Sequence, residues 1–503
     1  MPSSTIATVL VALAVALPAE PMQSETYFIP SHRLAGIGAG RQELTEETLA
    51  QRTNAMMQSQ TFTIMRDPEA LAGAQRIKNP GLQRLFRDAE RKSGFPAATL
   101  AAMAYLESWG IPNAESPAGP RGIMQISEAT GRRMGLHIVY ALRHRVIKTK
   151  TAVRNKHGKL VYRTVRHSVA YTVLLKDERT KPEKAIPAAA LYLAGLEQHF
   201  GGRDWAIWAY HCGEGCVADF RSMARLTQGL DDPAASVAKV FFSCSPVWNR
   251  ELYQAIHAQM DRDYSPTYWF RVMRAEQLLS MYEDEPSEFR DLVEEYRYRA
   301  DAAQRAPDRL SAWLKPQDLI YGTLDDIRNE PGHKLVSPPD DPKFFGFQVP
   351  GPGLSDGNYY GQAFASTIGT MAYIAFETRR LFEAMPRGEE FVPFEVTALV
   401  LPMNEGRFTQ ASKTVEHSSG QVFDISLARM PERERECLQF VLDDLGWDGC
   451  LGFIEESPGS QTMHIGCAPS SRDFFGRVFE DEQAALRARN APASPAPASP
   501  EQP

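Results

Sequence analysis

Between residues 82 and 260 apolar positions recur at helical spacing, with Pro at the starts (Pro96, Pro187) and Gly at the stops (Gly110, Gly201). The pattern predicts a mostly α segment. At 141–184 it is interrupted by alternating stretches such as Leu160-Val-Tyr-Arg-Thr-Val-Arg166 around a His157-Gly158 turn, the period of a β-hairpin insertion. Residues 261–315 read as helices with many i,i+4 charge pairs that connect or brace the domains. Pro, Gly and Asp accumulate over 328–356 and mark a linker. A helix over 362–384, strands over 394–401 and 450–455 and a helix over 431–445 then predict an α+β domain.

The two ends differ from this body. The apolar run Thr5–Ala19 is too short to span a bilayer and is followed by small residues, which fits a secretory signal over 1–19. No Lys or Arg precedes it, so a buried N-terminal helix is the competing reading. Residues 20–80 are polar and weakly periodic, an extension that packs on a neighbour or stays loose. The Pro/Ala/Ser-rich stretch within 486–503 cannot build a core and is expected to be a disordered tail.

With 503 residues the chain is long enough for more than one hydrophobic core. Its 43% apolar and 23% charged residues and net charge of -7 exclude a fibrous or disordered chain, and nothing in the balance suggests a nucleic-acid partner. Charge is concentrated in the insertion, where 141–184 holds thirteen Lys or Arg against three Asp or Glu. That is either a solvated loop or a device attracted to an anionic polymer such as the cell wall. Cys212, Cys216, Cys244, Cys437, Cys450 and Cys467 would be partly paired in an exported protein, with no connectivity readable from spacing. No Cys-x-x-Cys pair occurs, so they do not read as a zinc cluster.

Chemistry first emerges in Pro96-Ala-Ala-Thr-Leu-Ala-Ala-Met-Ala-Tyr-Leu-Glu-Ser-Trp-Gly110. Leu100, Met103 and Glu107 share one face of this helix, so the carboxyl lies on the apolar stripe. Desolvation and the negative end of the helix dipole both favour its neutral form, as a general acid requires. Taken alone, a carboxylate that snorkels or pairs with an Arg fits as well.

The stretch from Glu107 to Gln125, Glu-Ser-Trp-Gly-Ile-Pro-Asn-Ala-Glu-Ser-Pro-Ala-Gly-Pro-Arg-Gly-Ile-Met-Gln, resembles the motif of Slt-type lytic transglycosylases, with Ile123 in place of the usual Leu. Ile186-Pro-Ala-Ala-Ala-Leu-Tyr-Leu193 and Trp208-Ala-Tyr-His-Cys-Gly-Glu-Gly215 resemble two further blocks in the family's order. Asp177-Glu-Arg-Thr-Lys-Pro182 is similar to the segment before this helix in the membrane-bound D branch. The resemblance implies a lysozyme-like fold for 81–260, with Glu107 as acid and base and with Ser108, Met124, Gln125, Tyr210 and His211 along the sugar groove. His211, Cys212 and Ala189 stand where the family has Asn, Ala and Gly. The resemblance also implies protonation of the MurNAc–GlcNAc oxygen, capture of the MurNAc 6-hydroxyl proton and a 1,6-anhydro product, with no cofactor. A hydrolysing glycosidase commonly needs a second carboxyl, and no block supplies one.

Near the C-terminus His417 stands seven residues before Asp424, and His464 follows in Gln461-Thr-Met-His-Ile-Gly466. Two His and one Asp suit a zinc site that keeps a position open for water. The segment resembles D-Ala-D-Ala carboxypeptidase-type zinc peptidases, with Gly420 and Asp424 matching and Val415 and Val422 departing. That resemblance implies zinc on His417, Asp424 and His464, and peptide cleavage. The family's Glu base is Gln461 here, so Glu455 or Glu456 would have to substitute, or the domain binds without turnover.

The expected organisation is a mostly α lysozyme-like domain (81–260) with a basic β-hairpin insertion, a helical connector and linker (261–340), and an α+β domain (341–485). The leading expectation is an exported enzyme of the periplasm or cell envelope, acting on peptidoglycan glycan strands without a stable membrane anchor. A non-catalytic wall-binding or assembly protein and a hydrolytic muramidase are the alternatives.

Overall fold

A computed structural model of the chain describes residues 34, 37–38, 44–226, 230, 232, 234–304, 320–330, 332, 334–339, 347–348, 361–385, 389–403, 415–457 and 461–490. The signal expected at 1–19 lies outside them, as do residues 491–503 of the tail. Among the described residues no helix is long and apolar enough to cross a membrane.

The α segment begins with α1 (Glu46–Met65), α2 (Ala70–Ile77), α3 (Pro80–Ser93) and α4 (Ala97–Ser108). Asn79 caps α3 through Gly81 N–H, Pro80 opens it and Gly94 closes it in the left-handed region at φ 78. α4 is apolar nearly all round, with Leu100, Met103, Ala104 and Tyr105 fully buried, so it forms the axis on which α2, α3 and later helices pack. It ends on Trp109 at φ 53, followed by Gly110 at φ 71. A non-glycine residue there costs about 1 kcal/mol. Trp109 is held by an edge-to-face contact with Tyr105 at 4.7 Å and by Arg76 Nε, which donates to its carbonyl at 2.8 Å.

After α5 (Glu128–Arg133) the chain forms the expected ribbon, β1 (Ile138–Arg154) paired antiparallel with β2 (Leu160–Asp177). Helices α6 (Pro182–Phe200), α7 (Arg203–Cys212), α8 (Glu214–Arg225), α9 (Val237–Ser243) and α10 (Arg250–Asp263) follow. The helix start expected at Pro187 lies instead at Pro182, and Pro187 sits inside α6. As the sixth residue of the helix, Pro187 forfeits the backbone bond to the Glu183 carbonyl.

Both flanks of the α segment pack on it. Within 261–340, α11 (Tyr268–Asp284) packs on α1, α4 and α7 and buries Phe270, Val272, Ala275 and Leu278, so it braces the core. α12 (Pro286–Gln304) follows, burying Phe289 and Val293, and the short α13 (Leu324–Arg328) buries Leu324 and Ile327. Within the expected 20–80 extension, α1 packs on α11 and buries Met56, Met57, Ile64 and Met65.

The C-terminal part is α+β. Strands β3 (Leu335–Val336) and β5 (Ala363–Phe364) form a small pair. A five-stranded sheet has the order β4 (Phe347–Gln348), β6 (Phe394–Ala398), β7 (Val422–Ser426), β9 (Thr462–Cys467), β8 (Leu451–Ser457). Its pairings are antiparallel except β4 with β6. Helices α14 (Ala365–Glu383) and α15 (Glu432–Trp447) pack on it, and α16 (Arg472–Asn490) packs on α14. Residues 486–490 of the expected tail are helical instead, since α16 continues through Asn490 and Leu486 packs against the core. α1 also packs on α15, where Arg52 Nη2 meets Asp444 Oδ1 at 2.6 Å with both side chains buried. One hydrophobic core runs through both halves.

Candidate active site

The end of α4 opens into a cleft of about 530 Å³ lined by Glu107, Ser108, Gln125, Tyr210 and His211. The loop after α4 is shaped by Gly122, at φ 82, where a Cβ would fall 1.8 Å from the Arg179 carbonyl oxygen. Only glycine allows that approach. Arg179 is itself buried, forked onto Asp177 at 2.8 and 2.9 Å, and donates to the Ile126 carbonyl at 3.1 Å. The Asp177–Arg179 segment thus locks the loop that carries Met124 and Gln125.

Glu107 is half-buried, and Tyr268 at the start of α11 donates to its Oε1 at 2.5 Å. Burial pushes the Glu107 carboxyl up to about 7, opposed by the Tyr268 hydrogen bond and the Arg271 guanidinium. Ser108 Oγ donates to the Ile123 carbonyl at 2.9 Å and pins the helix end to the loop. Gln125, at φ 45, donates from Nε2 to the Gly122 carbonyl at 3.0 Å. Tyr210 donates to the Met124 carbonyl at 2.7 Å, and burial with the Glu107 charge nearby keeps its phenol protonated.

Met124 does not line the cleft. Its side chain is fully buried in the core, and the residue serves the site through its carbonyl. His211 stacks on Tyr268 with ring centroids 4.3 Å apart, and its Nδ1 lies 2.9 Å from Ser265 Oγ. Burial lowers its pKa, with Asp263 opposing and Arg271 assisting, which favours the neutral ring. Cys212 and Cys216 are joined across the α7–α8 turn, Cα atoms 5.9 Å apart, while Cys244, Cys437, Cys450 and Cys467 are free and buried.

Sequence reasoning missed Tyr268, Arg271 and Ser265. The signal was present in the apolar positions Tyr268, Val272, Ala275 and Leu279, which mark a core helix. Glu115 is a second carboxylate on the cleft wall, and it is ion-paired with Arg121.

Residues 84–153 and 159–228 match the family described as Transglycosylase SLT domain. This segment is a transglycosylase SLT domain. Among similar proteins, Membrane-bound lytic murein transglycosylase F of Alcanivorax borkumensis is 46% identical over 160 residues, covering 30% of this chain and 26% of that protein. Membrane-bound lytic murein transglycosylase F 2 of Alkalilimnicola ehrlichii is 28% identical over 166 residues, covering 32% and 28%. Peptidoglycan transglycosylase gp16 of Escherichia phage T7 is 32% identical over 132 residues, covering 26% and 8%. The chain spans at most about 28% of the length of these relatives.

Far from this cleft in sequence, the sheet brings His417, Asp424 and His464 together, with candidate ligand atoms within 4.8 Å of one another. Asp424 on β7 pairs directly with His464 on β9, and His417 enters from the short helical turn Val415–Ser419. Gly420, at φ 68, ends that turn. His417 Nδ1 lies 2.7 Å from the Leu399 carbonyl oxygen and Nε2 lies 3.1 Å from Asp424 Oδ1, while His464 Nδ1 contacts the same oxygen. Burial acts to raise the Asp424 pKa, but the two imidazoles overcome it and hold the carboxyl well below its usual range. Gln461 stands exposed in the β8–β9 turn. The side chains of Glu455 and Glu456 lie outside the described residues.

Proposed function

We propose that this protein is an exported peptidoglycan lytic transglycosylase that cleaves the MurNAc–GlcNAc bond and forms 1,6-anhydro-MurNAc. The observation that carries the reading is Glu107, a half-buried carboxyl raised to about 7 at the wall of a cleft within an SLT domain. A carboxyl with that pKa is protonated often enough to donate to the glycosidic oxygen and is basic enough afterwards to accept a proton. In the proposed course Glu107 gives its proton to the leaving oxygen and then removes one from the MurNAc 6-hydroxyl, which closes on the anomeric carbon. The Tyr268 hydroxyl and Arg271 stabilise the carboxylate between the two steps. Ser108, Gln125 and Tyr210 orient the sugars, and His211 backs Tyr268.

A hydrolytic muramidase would need a second group to activate water. Glu115 is the carboxylate positioned for that on the cleft wall, and its pairing with Arg121 speaks against the role. Digestion of purified sacculi with product mass spectrometry tests the proposal. Anhydro-muropeptides are expected. Reducing-end products would point to hydrolysis, and the absence of release to a wall-binding protein.

For the C-terminal domain we propose a divalent metal site, zinc by donor type, on His417, Asp424 and His464. Its support is chemical. With Nδ1 beside the Leu399 carbonyl, His417 sets Nε2 against Asp424 Oδ1. A ring nitrogen and a carboxylate oxygen 3.1 Å apart call for a proton or a cation between them, and a metal can take that place. Bound zinc would supply a Lewis acid for water or a carbonyl. Peptide cleavage would further require a base, which Gln461 is not.

A further inference from the structure

The β1–β2 ribbon takes no part in the chemistry proposed above. From Leu142 to Thr172 every residue is exposed except Val153, Asn155 and Val169, which are half-buried. At about 3.3 Å per residue, strands of this length extend roughly 55 Å. An isolated two-stranded ribbon is marginal in water, so its persistence depends on the root, where Tyr140 donates to Glu128 Oε2 at 2.7 Å and Glu178 accepts from His137 N–H at 2.8 Å.

Its charge is one-sided. Between 143 and 166 the ribbon carries nine of the chain's 55 Lys and Arg residues and none of its 62 Asp and Glu residues. None of the nine forms an ion pair with a described carboxylate. The register sets Lys148 directly opposite Arg166, a like-charge pair that weakens the ribbon on its own. Lys148, Lys150, Arg154 and Arg166 share one face, and Arg143, Arg145 and Arg163 share the other. A flat partner such as a bilayer or a protein surface would engage one face. Cations on both faces suit an element surrounded by a polyanion. The root also adjoins the cleft: Arg121 Nη1 lies 3.9 Å from Asp177 Oδ2 and pairs with Glu115 on the cleft wall.

We propose that the ribbon is a second substrate-binding element, inserted into the peptidoglycan network and held by the carboxylates of its peptide stems; this rests on the transglycosylase reading above. It tethers the protein to the anionic wall while the cleft acts on a neighbouring glycan strand.

The test uses the full chain with Glu107→Gln, so that sacculi stay intact, against the same chain with Lys148→Gln, Lys150→Gln, Arg163→Gln and Arg166→Gln added. All four added positions are exposed, and a thermal melt checks the fold. Co-sedimentation with purified sacculi should show affinity at least about tenfold weaker for the multiple variant at low salt, with a flatter salt dependence. Amidating the sacculus carboxyls should weaken the Glu107→Gln chain to the same degree. Equal binding by the two chains, indifference to amidation, or ribbon-dependent binding to vesicles rich in anionic lipid that matches binding to sacculi would each overturn the proposal. Cleavage of soluble glycan oligomers lacking peptide stems, by chains retaining Glu107, is read separately. Equal rates with and without the four substitutions are expected, because short soluble strands reach the cleft directly and form no network for the ribbon to enter. If neither chain cleaves them, the transglycosylase reading falls while the sedimentation result still judges the ribbon.

Discussion

Tyr268 donates its hydroxyl to Glu107 Oε1 at 2.5 Å, joining residues 161 positions apart in the chain. The bond favours the carboxylate and thereby restrains the rise in pKa that burial imposes. Activity that needs the protonated acid persists below the Glu107 pKa and falls above it. Removing the donor with Tyr268→Phe raises that pKa, so the alkaline limb of the rate profile should move up by about one pH unit. A profile unchanged in position would mean that Tyr268 does not govern the acid.

His211 acts on the same carboxyl through Tyr268, by stacking at 4.3 Å and by anchoring to Ser265. His211→Asn should reduce kcat severalfold with a smaller change in KM. In a Tyr268→Phe background the same substitution should add little, because contacting residues couple in double-mutant cycles. Additive effects would place His211 on the substrate directly.

The unequal legibility of these two groups has a physical cause. Glu107 was readable because its helix, its Gly-rich loop and its catalytic chemistry are all local in sequence, and even the ribbon showed itself by period and charge. Tyr268 reaches the site only through tertiary packing, and its helix was read with the charge-paired stretch Glu285–Arg297 that follows it, which drew more notice than its buried face. α1 escaped for a related reason. Its buried residues include Arg52, Gln60 and Thr61 beside the methionines, so no clean apolar stripe appears. His417, Asp424 and His464 were legible as a constellation, whereas their meeting across β7 and β9 depended on strand register.

Gly122 is the backbone hinge on which the cleft loop depends. Gly122→Ala should destabilise the protein by about 3 kcal/mol or more, since the new Cβ collides with backbone and the residue must also hold a positive φ. Gly158→Ala, at φ 75 with open space around it, is the control and should cost about 1 kcal/mol. Equal losses in urea denaturation would show that φ alone, without the Arg179 contact, sets the requirement.

For the C-terminal cluster, purified protein should carry about one zinc per chain, and Asp424→Asn should lose it while its melt remains cooperative. Removing one of three donors weakens the site without emptying the core as a truncation would. Elemental analysis decides the matter. Equal zinc in both proteins would remove the metal site, and unchanged glycan cleavage by the zinc-free variant would separate the two centres.

Arg52 and Asp444 join α1 to α15 in the shared core. Burial lifts the Asp444 carboxyl to about 6, with Arg52 and the Gly38 N–H working against the rise. Because this folded pKa lies above the unfolded value, the fold loses stability from Asp444 as pH climbs from about 4 to 6, where the unfolded chain releases its proton first. Arg52→Met removes the compensating cation and raises the pKa further, so the loss deepens toward neutral pH. The variant should be weaker than the wild type by about 3–5 kcal/mol near pH 7.5 and by clearly less near pH 4.5, where Asp444 takes up a proton. Urea denaturation at both pH values measures the difference. A deficit independent of pH would assign the role of Arg52 to packing over the Phe242 ring, 4.8 Å away, in place of its charge.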